Sequence, residues 1–169
     1  MKLNNFNDLV EGWIVHTARD CMRRDGCHVP MVISFTSNGS PNFLPLTELM
    51  NNADEMEKYG DEAYHSAKDM IATYIKKSLM KDKAIAYVHI AECWFVAQKK
   101  DKPLKTYNIR NIPEKEEALS IAWEYKHNGV HRSGSHFMPF KRSKGDIVFK
   151  ETITIGGCKT GGRFVNLLS

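Results

Sequence analysis

Four groups of residues in this chain have types and spacings that could do chemistry. Glu92 stands in the run Ala84–Ala97 and shares its alternation with Val88, Ile90, Trp94 and Val96. In a central strand that carboxylate would face apolar surroundings, where burial raises a carboxyl pKa toward general acid–base use unless a cation pairs with it. The sequence offers Arg163 or a histidine as the partner. His89 alternates with Tyr87 and Cys93, so it belongs to the other side of the strand. On the first helical segment His16, Asp20 and Arg24 recur every four residues and stack beside Leu9 and Trp13. Such a row could hold a substrate, and its plainer reading is an Asp20–Arg24 ion pair with His16 on its flank.

The third group, Cys21, Asp25, Cys27 and His28, has zinc-ligand types but none of the paired spacings of a zinc site. No metal and no cofactor is expected from it. The fourth is the stretch from His127 to His136, with three histidines, Arg132, Ser133 and Ser135. It reads as a turn-rich hairpin loop. Neither serine has the strand–turn–helix GxSxG setting of a hydrolase nucleophile. The glycine-rich Gly156–Arg163 segment lacks GxxxxGK[ST] and any room for a following helix, so it is no phosphate loop. It contains Cys158, a thiol beside Lys159 and Arg163 that could be acidified by them.

A separate basic cluster, Lys99, Lys100, Lys102, Lys105 and Arg110 against Asp101, lies in the long irregular segment 98–117. The whole chain carries only +4 over 169 residues, so most of its excess charge sits there. That is a weak footprint for nucleic acid and a plausible surface for an acidic protein.

The elements that would position these residues follow from periodicity. Phe6, Leu9, Val10, Trp13, Ile14, Thr17, Cys21 and Met22 mark an amphipathic helix that ends at Gly26, with Trp13 as a core anchor. Val29–Thr36 and Phe43–Leu46 flank Asn38-Gly39 as a hairpin, and Pro41 and Pro45 confine its second strand to an edge. Residues 52–59 form a short helix. A longer one starts at Asp61 and buries Ala63, Tyr64, Ala67, Met70, Ile71, Tyr74, Ile75 and Leu79. Ala84–Ala97 is apolar on both sides, as a central strand is. Half-buried Leu119–Tyr125 and strands at 137–141 and 147–155 complete the chain.

The sum is an α+β domain over residues 1–169. Its mostly antiparallel sheet has five to six strands, with two main helices on one face, in the order α-β-β-α-β-β-β-β. That gross order is similar to profilin-like and roadblock-like α+β domains, a likeness of topology that no residue motif carries.

Composition excludes disordered, collagen-like and disulfide-scaffold classes, with 42% hydrophobic and 26% charged residues. No apolar run reaches membrane-span length and no secretory leader is visible, so reduced thiols in the cytoplasm and no membrane partner are expected. The functional expectation is a non-enzymatic module that binds a protein partner. The alternatives are a small hydrolase-type enzyme using Glu92 with Arg163 or a histidine, and a weak nucleic-acid binder acting through residues 99–110.

Overall fold

A computed structural model describes residues 1–96, 112–156, 164, 167 and 168. The N-terminal helical segment is α1 (Leu3–Leu9), a π-helical turn (Val10–Ile14) and α2 (Val15–Asp25), ended by left-handed Gly26. Then come β1 (Met31–Phe35), β2 (Pro41–Pro45) and α3 (Thr47–Glu55). A 3-10 turn (Met56–Tyr59) leads into α4 (Asp61–Lys81). The remaining strands are β3 (Ala86–Phe95), β4 (Glu116–His127), β5 (Val130–Ser143), β6 (Asp146–Phe149) and β7 (Ile153–Gly156).

All seven strands join one antiparallel sheet in the order β2-β1-β3-β4-β5-β6, with β7 also paired to β5. The class is the α+β arrangement expected, β3 is central, and β2 with its two prolines is an edge. Asn128-Gly129 and Lys144-Gly145 close the β4–β5 and β5–β6 hairpins with positive φ at both central residues, the geometry whose twist matches the strands. β6 and β7 lie on the same side of β5. Phe140 pairs with Phe149 but Phe137 pairs with Ile153, so one extra residue between them makes a bulge in an otherwise continuous edge.

Four expectations are corrected. The main helices do not share a face. Residues of α1, the π-turn and α2 pack with Ile33, Val88, Ile90, Leu119 and Ile121. Residues of α3 and α4 pack with Val32 and Tyr87, the alternate positions of the same strands. A central strand that is apolar on both sides needs a layer on each.

Trp13 is not a core anchor but 54% exposed. The main buried seam is Phe6, Val10, Ile14, Ala18 and Met22, each four apart, with Val15 buried beside it. At about 100° per residue, Phe6 and Met22 would end about 160° apart in a regular α-helix. The wider π-turn absorbs an extra residue, takes back about 100°, and keeps the five in line while turning Trp13 outward.

On α4 the buried residues are Lys68, Ile71, Ile75 and Leu79, whereas Met70 and Tyr74 are exposed. The fourth correction concerns the histidine-rich stretch, which is no loop. Asn128-Gly129 turns the chain in two residues, and His131 to His136 are strand β5.

Candidate functional site

The sheet's two faces differ in chemistry. Of the seven buried polar or charged residues described, only His136 belongs to the α1–α2 side. Ser34, His89, Glu124, Ser133 and Ser135 lie on the α4 side, and Lys68 reaches in from α4 itself. Strand register arranges them in two rows, Val32–His89–Ala122–Ser135 and Ser34–Tyr87–Glu124–Ser133.

Glu124 is 1% exposed and accepts hydrogen bonds from the Leu168 backbone N–H (3.1 Å) and His131 Nε2 (2.8 Å). The Tyr87 hydroxyl donates to the Phe164 carbonyl at 3.2 Å. Its pKa is driven up by burial first and by the Glu124 charge second. Leu167 and Leu168 are thereby held against this face. His89 stacks on Phe164 at 4.8 Å, and its Nε2 has no hydrogen-bond partner among the described residues. Burial, then the Lys68 charge, lowers its pKa to about 4, so the ring is neutral. The buried Lys68 ammonium is 3.0 Å from Asp54.

Glu92 faces the α1–α2 side, in register with Leu119 and Met138. Its carboxylate takes Arg142 Nη2 at 2.7 Å and the His28 backbone N–H at 2.8 Å. Arg142 Nε also reaches Glu117 at 3.2 Å, and its Nη1 donates to the Gly26 carbonyl. The cluster latches the end of α2 to strands β3, β4 and β5, a structural use of the carboxylate. Arg163, the cation expected beside it, lies outside the described residues.

His16 and Asp20 are both exposed. Asp20 meets Arg23 at 3.5 Å, and Arg24 instead binds Asp25 at 2.6 Å, so the expected Asp20–Arg24 pair does not form. The adjacent partner wins because it needs no reach across a helical turn. The Arg24 hydrogen bond holds the Asp25 carboxyl below its ordinary range. Among the described residues no three His, Cys, Asp or Glu side chains converge as a metal site would require. Cys21 and Cys93 are half-buried and Cys27 is exposed, all as free thiols. Burial, reinforced by Glu92, raises the Cys93 thiol to about 11 and makes it inert. Cys158 and the cluster Lys99, Lys100, Lys102, Lys105 and Arg110 lie outside the described residues. No helix among those described is long and apolar enough to cross a membrane.

One constellation escaped the sequence. Register brings His136 beside Thr154, whose Oγ1 is 3.1 Å from Nδ1. The π-turn carries Glu11 to 3.0 Å from the ring's Nε2, out of hydrogen-bond alignment. Hydroxyl, imidazole and carboxylate thus stand in line, with the imidazole 2% exposed and both outer groups open to solvent. The three residues lie more than a hundred positions apart at their extremes, so no spacing signal could announce them. Comparison with known proteins finds no matching family model, no matching curated protein and no matching solved structure.

Proposed function

We propose that this chain is a protein-interaction module that receives an extended segment of its partner along the β6–β7 edge. The supporting observation is the state of that edge. Among the described residues β6 and β7 pair only with β5, so their outer N–H and C=O groups have no strand neighbour. Val148, Ile153 and Ile155 are exposed, and their partners Lys141, Phe137 and Ser135 put all three on one face. The other edge of the sheet is blunted, because Pro41 and Pro45 of β2 offer no N–H. Main-chain bonds to an open edge supply affinity, and an apolar stripe at alternate positions supplies selectivity.

The test is purification from the native source under mild conditions, with mass spectrometry of what copurifies. A Val148→Lys/Ile155→Lys double variant should keep its melting temperature, since both sites are exposed, and lose the partner recovered with the parent chain. Retention of the partner by the double variant, or recovery of none by the parent, would overturn the reading.

A second reading, ester hydrolysis, is favoured by the Thr154–His136–Glu11 alignment alone. His136 would take the Thr154 proton as Oγ1 attacks an ester carbonyl, and pass it to the departing alcohol. Water would then free the acyl group. Burst release of p-nitrophenol from p-nitrophenyl acetate, lost in Thr154→Val and His136→Gln, is the outcome this reading requires.

A further inference from the structure

The C-terminal end of α4, the turn that follows it, the end of β4 and the docked Leu167–Leu168 pair border an open pocket of about 350 Å³. Its position is remote in register from the β6–β7 edge, and it is independent of the interaction proposed there. Leu79, Ala84, Leu167 and Leu168 give it an apolar floor. Among the described residues Lys83 and Lys126 are its only charged lining residues, and both are exposed. Among the described residues neither lysine has an ion-pair partner.

The nearby negative groups are already engaged. Asp82 Oδ2 accepts the Ser34 hydroxyl at 3.4 Å, and Glu124 is turned to Leu168 N–H and His131. The last carbonyls of α4 are capped as well: Ser78, Leu79 and Met80 accept the N–H groups of Asp82, Ala84 and Lys83. These caps weaken, without abolishing, the opposition of the helix's negative end to an anion, and the two lysines must outweigh what remains. Lys83 is turned out of the helix by its left-handed backbone, φ 51°.

We infer that this cavity binds a small carboxylate with an apolar body. An apolar floor rewards burial of a short hydrocarbon. Two ammonium groups reward a single negative head, and no acidic side chain among the described lining residues would reward a cation. At roughly 30 Å³ per water-sized volume the cavity holds about a dozen non-hydrogen atoms, the size of a medium-chain carboxylate such as octanoate. A free inorganic anion would leave the floor unused.

The test titrates the full chain with octanoate, with 1-octanol and with acetate, followed by amide chemical shifts and calorimetry. The expected result is saturable one-site binding of octanoate, with shifts centred on Lys83, Ala84, Lys126 and Leu168. Octanol and acetate should each bind more weakly, because one lacks the head and the other the body. A Lys83→Gln/Lys126→Gln double variant should lose about tenfold in octanoate affinity, as two partly exposed ion pairs imply, and bind octanol unchanged. Both lysines are exposed, so this variant should fold as the parent does. Ala84→Leu, which shortens the cavity, should weaken octanoate more than acetate. No saturation by octanoate at millimolar concentration would overturn the inference. So would shifts elsewhere on the molecule, or equal affinity of the double variant.

Discussion

His89 should make the stability of this protein depend on pH between its folded and its ordinary pKa. It lies between Val32 and Ala122 on the α4 face, 5% exposed, with Phe164 stacked on its ring and Lys68 as the nearby cation. Its folded pKa is about 4, against an ordinary value of 6.5 that the unfolded chain recovers. Between these values the unfolded chain holds the extra proton. Stability is therefore fully present above pH 6.5 and is lost as pH falls toward 4. The slope is about 1.4 kcal/mol per pH unit, and the loss accumulates to about 3 kcal/mol by pH 4.

His28 is also lowered by burial and tilts stability the same way, but it is half-buried and counts for less. Asp25, lowered by Arg24, acts only below about pH 4 and is exposed. Subtracting a His89→Leu variant isolates the one ring. Urea melts of both proteins at half-unit steps from pH 7 to pH 4 supply the free energies. The variant should gain about 3 kcal/mol relative to the parent across that span. Parallel curves would refute the argument, since they would mean that His89 titrates normally in the folded protein.

Three further outcomes follow from packing. Phe6→Ala should cost about 3–5 kcal/mol in a denaturant melt, because Phe6 is fully buried against Phe35 and Trp123, whereas Trp13→Ala should cost less than about 1. Gly134→Ala places a methyl 2.6 Å from the Trp123 ring, which lies directly over its cross-strand glycine. The indole must move, at about 1–3 kcal/mol, with a shift in its fluorescence. Arg142→Ala removes the tie between Glu92, Glu117 and the Gly26 carbonyl. It should cost about 1–2 kcal/mol, discounted for partial exposure, and admit proteases to residues 26–29 first.

Local signals in the sequence were enough for most of the elements, though the helix read at 52–59 begins at Thr47 and the strand read at 147–155 is split into β6 and β7. A long run apolar on both faces marked β3 as a strand buried on both sides, and Asn128-Gly129 and Lys144-Gly145 turn where such residues turn most readily. Pro41 and Pro45 put β2 at the edge for want of an N–H, and Gly26 stopped α2 by entering the left-handed region. These are properties of a residue and its immediate neighbours. They hold wherever the segment ends up.

What packs against what is a different kind of fact. The helical stripe containing Trp13 was read at a constant 3.6 period, and a single π-turn rotated the true seam onto Phe6, Val10, Ile14, Ala18 and Met22. Only contact with the sheet rewards that rotation. Glu92 was legible as a carboxylate that must be paired, but its cation, Arg142, is fifty residues away and was chosen by the β3–β4–β5 register. The same register made the Thr154–His136 contact and the buried Glu124–His131 pair. Helix period, turn chemistry and edge prolines are written along the chain. The side of the sheet on which each helix docks, and the partner each buried charge meets, arise from long-range pairing that minimises buried unpaired groups across the whole fold.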